Sequence, residues 1–204
     1  MRKFQAERVP APRGVAPFDL SQIPQGMPLD VEVGCGVGLH PIRYAQEHPE
    51  RYLVAIEHTR MKFEKFAGRL SHHAPFSNLL AVHADAVEWI THFLPASSVD
   101  RYFFLYPNPW PRPGDERRRW YAMPFMEKVI ETMKPGAKLE LATNESFYAE
   151  GARHFMTQEW GLKLVEDRTL QQTSPEAVHP RTHFERKYLA RGQVCFNLIF
   201  ENAD

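Results

Sequence analysis

Short apolar runs alternate with longer amphipathic segments along the chain from residue 29 onward. Apolar runs of about four to eight residues are typical of buried strands, whereas apolar residues spaced three or four apart are typical of helices. The runs predict seven strands, which lie at 29–33, 52–57, 78–82, 99–106, 138–142, 162–166 and 194–200. The amphipathic segments predict five helices, which lie at 39–47, 60–72, 86–93, 121–133 and 146–158. Strands that alternate with helices indicate a parallel sheet with helices on both faces.

The last two predicted strands have no helical pattern between them, and residues 168–192 form a long connection there. We expect these two strands to pair antiparallel at the edge of the sheet, because no crossover helix separates them. The predicted fold is therefore an α/β, Rossmann-like domain with a seven-stranded, mostly parallel sheet and an antiparallel edge strand. A long connection that the core does not need is more often functional than structural.

Composition narrows the classes of function that fit this chain. Its 25 basic and 25 acidic residues give a formal net charge of zero, so a surface that binds nucleic acid must be a local basic patch. The two cysteines, Cys35 and Cys195, lie far apart, which excludes a disulfide framework and suggests a reducing cytoplasm. No run approaches the roughly 20 apolar residues of a membrane span, and the first residues lack the apolar stretch of a signal peptide. The histidines show no metal-ligand spacing, so no metal site is predicted.

The junction between the first strand and the first helix is rich in glycine. Gly34, Gly36 and Gly38 follow the pattern G-x-G-x-G, which differs from the dinucleotide-binding pattern G-x-G-x-x-G. Glycines permit positive φ and expose the backbone, so a ligand can lie against this loop. Glu32 precedes the first glycine by two residues, and a carboxylate there suits a cationic amino group and not a phosphate. Both features indicate S-adenosylmethionine (SAM), which carries an amino-acid moiety and no pyrophosphate.

Two further acids come at the ends of the next two strands. Glu57 ends the second strand, where a carboxylate can accept hydrogen bonds from both ribose hydroxyls of an adenosine. Asp85 follows the third strand, where it can meet the adenine amino group. All these groups fall at the carboxyl ends of strands, which is where open α/β sheets bind ligands. The alternative interpretation is a structural glycine turn beside solvated acids.

A rigid turn follows the fourth strand, with the sequence Pro107-Asn108-Pro109-Trp110. The two prolines fix the backbone. Asn108 presents an amide that both donates and accepts hydrogen bonds, and Trp110 can stack on a base. The alternative interpretation is a proline-rigid turn with a packed tryptophan.

Two basic segments complete the candidate chemistry. Residues 112–119 hold four arginines, which suit phosphate contacts beside the active site, although Asp115 and Glu116 dilute their charge. A solvated charged turn is the alternative there. Residues 179–192, in the long connection, hold four basic residues against the single acid Glu185.

With these residues in place, the chain resembles the bacterial tRNA (guanine-N7)-methyltransferase family from about residue 29 to residue 202. The first loop of the family reads E-I-G-x-G-x-G, its second strand ends G-I-E, and its fourth strand leads into F-P-D-P-W and then K-R-R. Its fifth strand carries A-T-D, and a late motif reads T-x-F-E. The matching residues of this chain lie at 32–38, 55–57, 106–110, 117–119, 142–144 and 182–185.

The resemblance implies a class I methyltransferase fold, SAM as the methyl donor and N7 of a tRNA guanine as the acceptor. It implies that Glu32, Glu57 and Asp85 bind SAM together with the loop glycines. Position 108 lies beside the transferred methyl group in the family, which makes Asn108 both a donor-binding and the candidate catalytic residue. The residues expected around the guanine are Arg112, Asn144, Thr182 and Glu185.

Two positions depart from the family pattern, because Asn108 and Asn144 stand where the family has acids. The loop after the tryptophan also contains Pro113 and Gly114 where the family is densely basic. These departures leave two alternatives open beside tRNA methylation. One is a methyltransferase for another acceptor, such as an exocyclic amine or a small molecule. The other is a non-catalytic relative that binds SAM or RNA.

The first 28 residues are rich in proline and carry scattered basic residues. This composition predicts an extended N-terminal arm at 1–28, followed by a single methyltransferase domain at 29–204. A loosely packed tail is the favoured interpretation of the arm. The alternatives are a flap over the active site and an arm that contacts RNA. The sequence carries no signal for an oligomeric state.

Overall fold

The computed structural model describes residues 3–73 and 75–203, so Met1 and Arg2 of the predicted arm, Ala74 and Asp204 lie outside the described residues. The strands are β1 (Leu29–Val33), β2 (Tyr52–Glu57), β3 (Leu79–His83), β4 (Val99–Leu105), β5 (Met133–Thr143), β6 (Lys163–Leu170) and β7 (Cys195–Glu201). The α-helices are α1 (Leu39–Glu47), α2 (Arg60–Leu70), α3 (Ala86–Phe93), α4 (Met126–Thr132), α5 (Ser146–His154) and α6 (His183–Leu189). A π-helical turn at Phe155–Glu159 continues α5.

All the strands belong to one sheet, in the order β3-β2-β1-β4-β5-β7-β6. Strands β1 to β5 pair in parallel with their neighbours, whereas β7 runs antiparallel to both β5 and β6. This confirms the predicted Rossmann-like fold and the antiparallel pairing of the last two strands. The antiparallel strand β7 lies just inside the edge, and β6 is the outermost strand.

The two faces of the sheet differ in polarity. Val31 of β1 faces a large apolar core, in which Trp89 of α3 and Met126 of α4 are fully buried. Its neighbour Asp30 points to the opposite face, because successive side chains of a strand alternate. There the carboxylate of Asp30 accepts a hydrogen bond from the hydroxyl of Tyr44 in α1 at 2.7 Å. The face that packs against α1 therefore carries buried polar groups.

The helix predicted at 121–133 is wrong at its start. Residues Trp120–Ala122 form a 3-10 turn, and α4 begins only at Met126. Pro124 lies between them, and a proline has no N–H group to donate within a continuous helix. The stop predicted at 134–136 is also displaced, because that segment already belongs to β5.

The expectation of a connection without a helix at 168–192 is wrong as well. Strand β6 continues to Leu170, and α6 lies within the connection. Thr182 caps α6, because its hydroxyl oxygen accepts a hydrogen bond from the N–H of Glu185 at 3.0 Å. The T-x-F-E motif is therefore the start of a helix.

The N-terminal segment packs on the domain through two aromatic residues. Phe4 meets Phe125 edge to face with the ring centroids 5.7 Å apart, and its N–H donates to Glu127 at 2.9 Å. Phe18 is buried, and its ring centroid lies 5.1 Å from that of Trp89. The favoured interpretation of a loosely packed tail is therefore wrong at these positions.

Candidate active site

The carboxyl ends of the parallel strands gather several predicted site residues at one edge of the sheet. Strand β1 lies between β2 and β4, and β5 lies beside β4. The glycine loop, Glu57, Asn108 and Asn144 therefore lie at or after the ends of neighbouring strands. Open parallel sheets bind their ligands at this edge.

The glycine loop offers bare backbone at this edge. Gly34 and Gly36 have φ angles of 75° and 63°, a conformation that residues with side chains rarely adopt. A Cβ atom added to either glycine meets no atom of the described residues within 4 Å, so a ligand can approach the loop. The N–H groups of Gly34 and Cys35 donate to the carbonyl of Ile56 at 2.9 and 3.0 Å, which ties the loop to β2.

Gly38, the third glycine of the predicted donor loop, packs closely against the core. Its φ angle is 80°, and a Cβ atom added there would overlap the ring of Phe66, which is fully buried. We expect Gly38→Ala to lower the free energy of unfolding by about 1–3 kcal/mol more than Gly36→Ala, which is the typical cost of overpacking a core. Both substitutions place an alanine in the left-handed region of φ and carry the strain of that conformation. The difference between their free energies of unfolding therefore reports the overlap with Phe66. Urea denaturation measures it, and equal midpoints for the two variants would contradict the packing role.

Glu57 is held in one orientation beside the loop. The residue is 4% exposed, and its carboxylate accepts hydrogen bonds from the N–H groups of Gly36 at 2.8 Å and Thr59 at 2.7 Å. Each bond uses a different carboxylate oxygen, which leaves a further lone pair on each oxygen for a ligand. The predicted ribose-binding acid and the predicted donor loop are thus in direct contact.

Glu32, the last residue but one of β1, pairs with a histidine. Its Oε2 atom lies 2.8 Å from Nδ1 of His40, and both residues are buried. His40 belongs to the first turn of α1, and its ring meets that of Phe103 at a centroid distance of 4.9 Å. His40 was not predicted from the sequence. Its position two residues after Gly38 is the signal that points to it.

Asp85 is exposed and immediately precedes α3. Its Oδ1 atom accepts a hydrogen bond from the N–H of Val87 at 2.7 Å, which makes Asp85 the cap of that helix. The preceding residue, Ala84, donates its N–H to the carbonyl of Glu57 at 3.3 Å. Asp85 therefore lies one residue away from a direct contact with the end of β2.

The turn after β4 adopts an unusual backbone conformation and is fastened by an arginine. Tyr106 and Trp110 have φ angles of 54° and 47°, in the left-handed region that bulky residues rarely enter. Asn108 is exposed, and its Oδ1 atom accepts a hydrogen bond from the N–H of Trp110 at 3.3 Å. The guanidinium of Arg119 donates to the carbonyl of Trp110 at 3.0 Å. These contacts fix the position at which Asn108 is presented.

The arginines of the first basic segment divide into two pairs. Arg119 fastens the turn, and the guanidinium of Arg118 stacks 4.7 Å above the ring of Trp110. Arg112 and Arg117 are exposed to solvent. Arg118 is exposed as well, but its guanidinium is engaged by the stacking contact, so Arg112 and Arg117 are better placed for phosphate contacts.

The remaining predicted residues already bond to neighbouring groups. The hydroxyl of Thr182 caps α6, and the amide of Asn144 donates to Glu145 at 3.0 Å. Glu185 is 1% exposed, and its carboxylate accepts a hydrogen bond from the hydroxyl of Tyr106 at 2.9 Å. The structure thus brings Glu185 to the start of the turn that carries Asn108.

Arg181, whose side chain is 26% exposed, forms an ionic network with buried carboxylates around Glu185 that the sequence did not predict. Its guanidinium contacts the carboxylates of Glu185, at 3.0 Å, and of Glu140, and it donates to Asn197 at 3.2 Å. Burial opposes the charge of Arg181, but the two carboxylates raise the pKa of its guanidinium above the ordinary value. Burial raises the pKa of Glu185, yet the charge and hydrogen bonds of Arg181 bring it below the ordinary value. Both groups are therefore charged at neutral pH.

Metal and membrane features are lacking in residues 3–73 and 75–203. No three histidine, cysteine, aspartate or glutamate side chains in these ranges cluster closely enough to hold a metal ion. Within the same ranges, no helix combines the length and the apolar character needed to cross a membrane. Cys35 and Cys195 are both free and buried.

Known proteins resemble the chain over most of its length. A family model described as putative methyltransferase matches residues 27–198. The tRNA (guanine-N(7)-)-methyltransferase of Nitrosomonas eutropha is 30% identical over 188 residues, which are 92% of this chain and 82% of that protein. The chain belongs to the tRNA (guanine-N7)-methyltransferase family. The family member from Methylobacillus flagellatus is 31% identical and covers 86% of this chain and 72% of its own length.

Solved structures share the fold of this family member. The 16S rRNA methyltransferase KamB has a TM-score of 0.66 at 21% identity, covering 90% of this chain and 92% of that one. An antibiotic-related methyltransferase has a TM-score of 0.64 at 15% identity, covering 89% and 91%. These likenesses confirm the predicted class I methyltransferase fold. Family membership confirms the predicted enzyme class, a methyltransferase that uses SAM.

Proposed function

We propose that the chain transfers a methyl group from SAM to N7 of a guanine in tRNA. The relatives in the family are named for that reaction. The observation that carries the proposal is the hydrogen bond between Gly36 and Glu57, because it joins the donor loop to the ribose-binding acid. The turn that presents Asn108 follows the strand next to this loop. Donor and acceptor groups therefore share one edge of the sheet.

The donor side of the site fits SAM. The open backbone at Gly34 and Gly36 accepts a ligand that lies against it, and the oriented carboxylate of Glu57 can accept both ribose hydroxyls. We assign the cationic amino group of SAM to Glu32 and its adenine amino group to Asp85. When bound, SAM supplies a methyl group on a positively charged sulfur.

The residues on the acceptor side need to orient a base, but they do not need to remove a proton. N7 of guanine has an in-plane lone pair and carries no hydrogen, so no general base is needed. The residues of this chain have to hold the base in line with the donor and to exclude water. We assign the orientation of the base to Asn108 and Asn144, and its Watson–Crick edge to Thr182 and Glu185. Arg112 completes the group around the guanine.

Methyl transfer from labelled SAM to unmodified bulk tRNA tests the proposal, with nucleoside analysis of the digested tRNA. Label in 7-methylguanosine is the expected result. Label in another nucleoside would keep tRNA as the substrate and overturn the acceptor atom. The absence of label, with SAM binding shown separately, would overturn tRNA methylation.

Glu57→Gln is expected to raise the Kd of S-adenosylhomocysteine about tenfold, because glutamine loses one acceptor oxygen and the negative charge. Isothermal titration calorimetry measures this binding without turnover. The control is Glu64→Gln, since Glu64 is exposed on α2 and pairs only with Arg60 among the described residues, at 2.8 Å. Its Kd should stay at the wild-type value. An unchanged Kd in Glu57→Gln would contradict the ribose assignment.

One observation favours a second candidate function, a non-catalytic relative that binds SAM or RNA. Methylation of N7 gives the guanine ring a positive charge, which a free carboxylate would stabilise. Of the described residues assigned to the guanine, Asn108 and Asn144 are amides, and Glu185 is already paired with Arg181. The two candidate functions differ in turnover and not in SAM binding, so the tRNA assay separates them.

We further place the protein in the cytoplasm. Cys35 and Cys195 are free thiols in the structure, which fits a reducing compartment. The proposed substrate, tRNA, is found in the same compartment. Cell fractionation tests this assignment, and recovery of the protein in an exported fraction would contradict it.

A further inference from the structure

A cavity of about 320 Å³ separates the N-terminal segment from the junction of β3 and α3. The lining residues on one side all come from this segment and are Pro10, Ala11, Pro12, Arg13 and Val15. Ala84, Asp85 and Glu88 line the other side. Its walls are thus largely apolar on the side of the segment, which also carries one arginine, and they carry carboxylates at the start of α3.

The cavity lies next to the donor loop. Its lining residue Ala84 donates its N–H to the carbonyl of Glu57 at 3.3 Å. The carboxylate of Glu57 in turn accepts the N–H of Gly36 at 2.8 Å. A ligand whose ribose is bound by Glu57 therefore has the cavity as its neighbour on the side of β3.

The wall formed by residues 10–15 is held in place at both ends. The ring contact of Phe4 with Phe125 anchors the segment before the wall. The contact of buried Phe18 with Trp89 anchors it after the wall. Between these anchors, Nε2 of His92 in α3 lies 2.9 Å from the carbonyl oxygen of Val9. A wall that is ordered before the ligand arrives lowers the entropic cost of binding.

We propose that residues 10–15 form one wall of the subsite for the adenine ring of the methyl donor. This inference rests on the proposed function, because it takes SAM as the donor. Apolar side chains of the segment suit the faces of a flat ring, and the carboxylate of Asp85 can accept a hydrogen bond from the exocyclic amino group. The two carboxylates of Asp85 and Glu88 outnumber the single guanidinium of Arg13 in the lining, which disfavours a phosphate. Its volume is at the lower end of the range of about 300–1,000 Å³ for ligand pockets, as expected for one part of a larger ligand.

Filling the cavity tests the inference. Ala11 lines the cavity and is itself exposed, so Ala11→Trp inserts a bulky ring without disturbing the core. We expect the Kd of S-adenosylhomocysteine, measured by isothermal titration calorimetry, to rise at least tenfold. Ala16→Trp is the matched control, because Ala16 is an exposed residue of the same segment outside the cavity lining, and its Kd should not change. Equal Kd values for the two variants would overturn the inference.

The outcomes separate this inference from the proposed function. A wild-type protein that fails to bind S-adenosylhomocysteine would overturn SAM as the donor and, with it, the adenine subsite. If the wild-type protein binds S-adenosylhomocysteine and Ala11→Trp binds it with an unchanged Kd, only the assignment of residues 10–15 as a wall of the subsite is overturned. Thermal unfolding of both variants serves as the folding check. If Ala11→Trp is destabilised, Ala11→Leu repeats the test with a smaller side chain, and an unchanged Kd there would equally overturn the wall.

A second ligand identifies the part of the donor that meets the wall. S-inosylhomocysteine carries a carbonyl group in place of the adenine amino group. We expect it to bind the wild-type protein more weakly than S-adenosylhomocysteine, and we expect this preference to shrink in Ala11→Trp. Equal binding of the two ligands by the wild-type protein would overturn the assignment of the cavity to the adenine ring.

Discussion

Replacement of Arg181 by methionine is expected to lower the free energy of unfolding by about 3–5 kcal/mol, the usual cost of removing one partner of a buried ion pair. Arg181 is the cation shared by Glu140 and Glu185, which are only 7% and 1% exposed. Methionine keeps much of the apolar stem of arginine but leaves the two carboxylates without a counterion. Solvent cannot compensate them, because both are buried.

Chemical denaturation followed by circular dichroism measures this loss. The control is Arg186→Met, because Arg186 is an exposed residue of α6 and its replacement should change the free energy of unfolding by less than about 0.5 kcal/mol. Addition of Glu185→Gln to Arg181→Met should recover part of the loss, since it removes one uncompensated charge. Equal midpoints for Arg181→Met and Arg186→Met would contradict a stabilising role of the network.

Strands and helices that the core constrains were predicted well from the sequence. The bounds predicted for β1, β2, α1 and α3 coincide with the observed ones. In β2 all six residues are buried, so its apolar run was an unambiguous signal. The start of α4 was missed because the apolar pattern continues through Pro124, whereas a helix cannot continue there without the missing N–H group. Helix α6 was missed because seven residues give too little periodicity, although the pair Thr182 and Glu185 carried a capping signal.

The donor side of the site was easier to predict than the acceptor side for a physical reason. A G-x-G-x-G loop after one strand and an acid at the end of the next strand must lie close together, because adjacent parallel strands end at the same edge of the sheet. The observed contact of Gly36 with Glu57 follows from that geometry. The partners of Arg181 come instead from β5, β7 and α6, which are joined only by the tertiary fold. No local pattern signals such a network, and the segment 179–192 therefore looked like a surface patch.

Asn108→Asp is expected to raise the single-turnover rate of methyl transfer to tRNA about 10- to 100-fold. The new carboxylate would stabilise the positive charge that develops on the guanine ring. Aspartate has nearly the same shape as asparagine and keeps the oxygen that accepts the N–H of Trp110, so the turn should be retained. Position 108 is exposed, so solvent screens the charge of the new carboxylate. This screening sets the lower end of the expected range of rate increase. Rapid-quench assays with labelled SAM measure the rate.

Gln25→Glu is the matched control, because it adds the same charge on an exposed residue that precedes β1, at the opposite edge of the sheet from the site. Its rate should equal that of the wild type. Turnover by Asn108→Asp where the wild type has none would establish the wild type as a binding relative with an intact donor site. A rate that falls on Asn108→Asp would contradict the charge argument, because the amide would then be the group that the acceptor needs. An exocyclic amine, which requires a hydrogen-bond acceptor and a donor side by side, would replace N7 as the expected target.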